Sequence, residues 1–187
     1  MTKKIAQLGL FLALALILAY VESLIPFSFG IPGIKLGLPN LIIVMLLCHR
    51  TTAQNGIATD DRHWFGAKEA ILVNILPIVL SGFLFSNLYT ILYSLAGAAF
   101  SIAAMMFGRR FRCFSVVGIS VLGGVFHNIG QILVAMFVVE TVYVGYYVPV
   151  LIAAGTVTGA VLGIVAMELM PYLTRFTGIR HPKSFNQ

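Results

Sequence analysis

Charge is what this chain has least of. Asp, Glu, Lys and Arg make up 10% of its 187 residues, against about a quarter in a soluble globular domain. Hydrophobic residues make up 59%, and the mean hydropathy is +0.98, so a water-soluble fold is excluded. Carboxylates are scarcer still, six in all. The adjacent pair Asp60-Asp61 stands alone, without the spaced aspartate-rich motifs that hold Mg²⁺ around a diphosphate. Two cysteines, Cys48 and Cys113, make neither a disulfide framework nor a metal motif, and both are expected as reduced thiols near cytoplasmic helix ends. No Gly-rich loop ends in Lys-Ser or Lys-Thr, which excludes ATP hydrolysis by that route. Ser120 and His127 fall two turns apart on one predicted helix, too distant for a nucleophile and its base. The expectation is a protein that is not an enzyme and carries no metal and no cofactor.

What the chain does have is long apolar runs. They are continuous, without the alternating polar residues that a barrel lumen demands, so helices are expected. The pattern predicts an all-α polytopic membrane protein of six transmembrane helices, a single membrane domain over residues 1–187. The spans fall at about Ile5–Ser23, Leu38–His49, Ala67–Phe85, Leu88–Phe107, Ser115–Val139 and Val148–Tyr172. The first resembles a signal peptide in its Lys3-Lys4 start, but five more spans follow and it is read as a retained helix. Eleven of the twelve basic residues flank these runs on one side: Lys3 and Lys4; Arg50, Arg62 and Lys68; Arg109, Arg110 and Arg112; Arg175, Arg180 and Lys183. The positive-inside bias makes that side cytoplasmic, with both termini on it. The net charge of +6 then reflects orientation in a lipid bilayer, and no nucleic-acid partner is expected.

Lys35 is the exception, alone on the opposite side. It lies in residues 24–39, a stretch rich in Pro and Gly that stays apolar apart from Ser28 and Lys35. An irregular apolar segment at membrane depth must be buried in protein or line a cavity, because lipid offers its backbone no partners. It is read as an outer loop or re-entrant segment. The second span is short for a bilayer that needs about 20 helical residues, in keeping with such a dip. Residues 50–66 form the one properly polar stretch, a cytoplasmic loop. Tyr143, Tyr146 and Tyr147 sit in an outer loop as an interfacial aromatic belt.

Polar side chains inside a membrane are costly, and each calls for a reason. Glu22 closes the first span near Lys35, either as a salt bridge that pins the loop or as a ligand contact. His127 and Gln131, with Gly124 and Asn128 nearby, share one helix face by their spacing of three and four, the densest polar patch in the chain. It forms an inter-helix hydrogen-bond cluster or a path for substrate or protons. Asn74 precedes Pro77 and has a ready role in satisfying the carbonyl that the proline frees. Asn40, after Pro39, is a ligand or a helix cap. Gly155, Gly159 and Gly163 form a small-residue face on the sixth span, and Ala15, Ala19 and Ser23 one on the first.

Four motifs resemble a known family: Ala15-Leu-Ile-Leu-Ala-Tyr-Val-Glu-Ser-Leu-Ile-Pro26, Pro32-Gly-Ile-Lys-Leu-Gly-Leu-Pro-Asn40, Leu92-Tyr-Ser-Leu-Ala-Gly97 and His127-Asn-Ile-Gly-Gln131. They are similar to the bacterial Gx transporter family, often labelled heptaprenyl diphosphate synthase component I, over nearly the whole chain from Lys3 to about Leu173. That family is in turn similar to the substrate-binding S components of energy-coupling-factor (ECF) importers. The resemblance implies a six-helix S-component-like bundle in the bacterial plasma membrane that captures a small molecule from outside, a vitamin, quinone or isoprenoid precursor. It implies as partners a transmembrane coupling subunit and an ATPase pair, docked through Ala15 and Ala19 on the first helix. Set beside the compact turn that the resemblance implies, residues 51–64 look like an insertion. A pocket between the outer halves of the helices would draw on Glu22, Lys35, Asn40, His127, Asn128 and Gln131, together with Tyr93 and Phe126. Two other readings stay open: a non-catalytic membrane subunit of a prenyl diphosphate, quinone or flavin-linked electron-transfer system, and a stand-alone ion-coupled carrier.

Overall fold

The computed structural model describes residues 2–24, 35–53, 67–111 and 114–177. Among them are six α-helices: α1 (Thr2–Leu24), α2 (Asn40–Ala53), α3 (Ala67–Phe85), α4 (Leu88–Arg110), α5 (Val116–Val138) and α6 (Val148–Thr177). A 3₁₀ turn at Val142–Tyr147 joins the last two. The all-helical bundle agrees with the composition, and the described residues contain no strand. The expectations for residues 25–34, most of 50–66, Arg112, Cys113, Arg180 and Lys183 fall outside the described residues.

Helix ends follow local chemistry. The Asn87 side chain accepts from the Thr90 N–H at 2.9 Å and starts α4, and Ser115 Oγ accepts from the Gly118 N–H at 3.1 Å and starts α5. Each cap satisfies a backbone donor that has no partner within its helix. In α3, Pro77 lies inside the helix and is fully buried.

Five helices are long and apolar enough to cross a membrane: α1, α3, α4, α5 and α6. The second expected span differs. It is a helix of 14 residues, whose rise of roughly 1.5 Å per residue falls short of a hydrocarbon core about 30 Å thick. Every residue from Leu41 to Cys48 is buried, because α2 stands in the middle of the bundle and touches each of the other five helices. A helix apolar on all faces suits such a place. The faces left open by the outer helices are apolar as well, with Leu14, Ile17, Leu72, Phe83, Phe107, Phe137, Val157 and Val161 all exposed. Such a surface suits lipid.

Close helix approach rests on small residues. At the crossing of α5 and α6, a Cβ added to Gly155 would stand 2.7 Å from the Gly124 carbonyl oxygen, and one on Gly159 2.7 Å from the Val121 Cα. The Asn128 Nδ2 donates to the Leu151 carbonyl at 2.8 Å across the same interface. On the other side of α5, Gly130 lies as close to the Ala96 carbonyl of α4. Backbones this near to one another gain packing that lipid alone does not provide. The outermost helix, α1, packs chiefly on α3. Lys4 and Glu69 join them at one end in an ion pair of 2.5 Å, and the rings of Tyr20 and Phe85, with centroids 4.9 Å apart, join them at the other.

Successive helices run in opposite directions, so Lys4, Lys68, Arg109 and Arg110 collect at one end of the bundle and Lys35 lies at the other. The Lys35 end holds a buried cavity.

Candidate functional site

The residues before α2 form a short strap, Lys35 to Pro39, laid across the end of the bundle. Its course is fixed by two side chains. Glu22, buried near the end of α1, accepts hydrogen bonds through Oε1 from the backbone N–H of Gly37 and, at 3.3 Å, from that of Leu38. Gln131, fully buried on α5, holds the strap one turn further back. With its carboxamide oriented to match donors to acceptors, Nε2 donates to the Lys35 carbonyl at 3.1 Å while Oε1 accepts from the Lys35 N–H at 3.2 Å. The same oxygen accepts from His127 Nε2 at 3.2 Å. Residue 37 has a φ of +81°, a left-handed conformation that costs any residue but glycine about 1–2 kcal/mol. Space demands glycine as well, since a Cβ there would meet Asn40 Nδ2 at 2.9 Å and His127 Cδ2 at 3.3 Å. The strap therefore lies directly on His127, and the Gly37 carbonyl accepts from the Asn40 N–H at 2.9 Å to lead into α2.

Beneath the strap is a cavity of about 20 Å³, room for one or two water molecules. Its wall draws on every helix from α1 to α5: Ala19 and Glu22, Asn40, Asn74 and Ser81, Ser94, and His127, with Lys35 and Gly37 of the strap closing it. Four of these side chains carry a buried polar atom without a hydrogen-bond partner: Asn40 Nδ2, Asn74 Nδ2, Ser94 Oγ and His127 Nδ1. Leaving one such group unsatisfied costs about 1–3 kcal/mol. Four around one void mark a place built for polar contents. The His127 ring is held edge-on to α4 by Gly97, where a Cβ would come within 2.9 Å of its Cε1 and Nδ1.

Lys35 is partly buried and interacts electrostatically with Glu22. Burial draws its ammonium below the ordinary lysine range, and the attraction of the Glu22 carboxylate opposes that shift. The two do not close an ion pair; the ion pair among the described residues is that of Lys4 with Glu69. No group of three His, Cys, Asp or Glu side chains among the described residues is placed to hold a metal ion.

Of the residues singled out in the sequence, Glu22, Lys35, Asn40, His127 and Gln131 come together here. Tyr93, Phe126 and Asn128 do not. Tyr93 packs with Ile132, Ala135 and Leu151 in a separate apolar cluster, Phe126 is exposed on the outer face of α5, and Asn128 bonds α6. Ala15 and Ala19 face inward, at 0% and 3% exposure. Ala15 packs in the core beside α2 and Ala19 lines the cavity. Sequence reasoning missed Ser81 and Ser94, and it gave Asn74 to the helix defect at Pro77. The structure instead leaves Asn74 Nδ2 without a partner on the cavity wall. One signal was available on α4, where Ser94, Gly97 and Ser101 recur on one face, all buried.

The family model for heptaprenyl diphosphate synthase component I matches residues 11–169, which span α1 to α6 and every wall of the cavity. The chain belongs to that family. No curated protein and no solved structure matches it. The match spans both halves of the strap's anchorage, Glu22 on α1 and Gln131 on α5, so the cavity lies wholly within the family's own extent.

Proposed function

We propose that this family member is the substrate-binding membrane subunit, the S component, of an ECF-type importer, capturing a small molecule such as a vitamin, quinone or isoprenoid precursor. The observation that carries this reading is the strapped cavity with its four unpartnered polar atoms. Small-molecule sites are concave, mostly apolar and furnished with a few convergent polar groups. By the positive-inside bias, the end with Lys4, Lys68, Arg109 and Arg110 is cytoplasmic. The cavity then lies in the outer half of a plasma-membrane protein whose termini are both inside, where capture from outside begins.

The void is too small for a vitamin, so loading requires the strap to lift. Its ties to Glu22 and Gln131 are hydrogen bonds worth about 0.5–3 kcal/mol each, weak enough to break and strong enough to define a closed state. On this reading the chain binds rather than catalyses, since the sequence lacks the spaced carboxylates with which prenyl transfer holds its metal ions. Energy for release would come from a coupling subunit and an ATPase pair.

The family's label favours a second reading, a non-catalytic subunit serving a prenyl diphosphate or quinone system. Native mass spectrometry of protein purified from its source membrane separates the two. The capture reading expects a stoichiometric small molecule that is lost when Ser94→Phe fills the void. A protein that carries none, yet changes the activity of a co-purifying prenyl synthase, would favour the second.

A further inference from the structure

The chemistry of the unpartnered atoms says what kind of group the cavity accepts. Asn40 Nδ2 and Asn74 Nδ2 are donors, Ser94 Oγ can donate, and Lys35 brings an ammonium that closes no ion pair. Two acceptor oxygens at the site are already engaged. Glu22 Oε1 receives the Gly37 and Leu38 N–H groups, and Gln131 Oε1 receives those of Lys35 and His127. All four unpartnered side chains are more than nine-tenths buried, so bulk water does not supply what they lack. The Glu22 carboxylate on the same wall is already stabilised by two backbone N–H groups, so the spare donors and the Lys35 ammonium beside it are left to attract an acceptor-rich, negatively charged group. The size of the cavity narrows the choice, because space for one or two waters matches the two oxygens of a carboxylate and excludes bulky head groups.

We infer that the cavity under the strap binds the carboxylate of a small-molecule ligand, its oxygens taking the Asn40, Asn74 and Ser94 donors with Lys35 as counter-ion. His127 lines the same void, with its Nδ1 turned toward Gly97 of α4. A carboxylate held by charge-assisted bonds in a buried site binds more strongly than neutral contacts would allow. This assignment rests on the capture reading for its biological meaning but not for its geometry.

The test uses three isosteric probes, acetate, acetamide and acetamidinium, on the full chain in lipid nanodiscs at matched ionic strength, read by thermal unfolding. Acetate should raise the melting temperature, acetamide less so, and acetamidinium not at all. Lys35→Met should weaken acetate binding roughly tenfold or more and leave the acetamide response in place, and Lys35→Arg should restore part of the loss. Asn74→Leu serves if Lys35→Met fails to fold, and it should weaken acetate and acetamide alike. Equal stabilisation by acetamidinium, an acetate response unchanged by these substitutions, or no response to acetate would each overturn the assignment. A co-purified ligand without an acidic group would overturn it too while leaving capture standing. An acetate response in a protein that captures no small molecule would uphold the site and remove the capture reading.

Discussion

Glu22 and Gly37 are joined across the end of the bundle: the carboxylate that closes α1 accepts the N–H of a glycine in a left-handed conformation fifteen residues on. That bond, with the neighbouring one from Leu38, fixes the strap over the cavity. Glu22→Ala should therefore leave two strap N–H groups without a partner, a loss of about 1–3 kcal/mol each if they stay buried. Glu22→Gln keeps an acceptor and should lose less. Thermal unfolding in nanodiscs ranks the variants, and a cysteine placed at Leu36 should react faster with a polar maleimide in the alanine variant. Equal labelling in wild type and Glu22→Ala would show that the carboxylate does not hold the strap.

Gly37→Ala is expected to destabilise by about 1–2 kcal/mol for the backbone conformation alone, with a further loss from contact with Asn40 and His127. Gly9, on the exposed face of α1, offers the control, since a Cβ there meets nothing within 4 Å. Gly9→Ala should leave the melting temperature unchanged or raise it, as alanine favours the helix by roughly 1 kcal/mol over glycine. Similar losses at the two positions would contradict the strap geometry.

Ala15→Leu probes the inward orientation of the small residues on α1. Ala15 has no exposed surface and packs beside α2, so a leucine overpacks the core at a cost of about 1–3 kcal/mol. The expected outcome is a less stable protein whatever partners are present. A variant of wild-type stability that fails only to assemble with a coupling subunit would instead place this face on the outside.

Much of the architecture is legible in the sequence because membrane helices write themselves as apolar runs bounded by caps. The boundaries of α3 fall where the hydropathy puts them, and Asn87 and Ser115 announce α4 and α5 within a residue. The central place of α2 is not legible, because a short apolar run reads the same whether lipid or five helices surround it. At the site, Glu22, Lys35, Asn40, His127 and Gln131 stand out by being polar in apolar surroundings. Direction around a helix is harder. Phe126 and Asn128 adjoin His127 in sequence, yet each is turned about 100° from it, one outward and the other onto α6. Ser94 escapes notice because a serine can bond its own helix and signals little by itself.

Glu22 and Lys35 are expected to contribute to stability almost independently. If the pair were a simple buried salt bridge, removing one partner would strand the other, and the double change Glu22→Gln with Lys35→Met would recover much of the loss. The structure gives the carboxylate a different first task, receiving the strap's backbone N–H groups, and leaves the ammonium near it without a closed ion pair. The losses from the two single changes should therefore be nearly additive, with a coupling energy of no more than ~1 kcal/mol, the scale of two charges that attract without contact in a partly hydrated setting. Thermal unfolding of the four proteins of the cycle, without added anion, supplies the number. A rescue that restores most of the wild-type stability would make the two residues a structural clamp and leave Lys35 with no charge to offer a ligand.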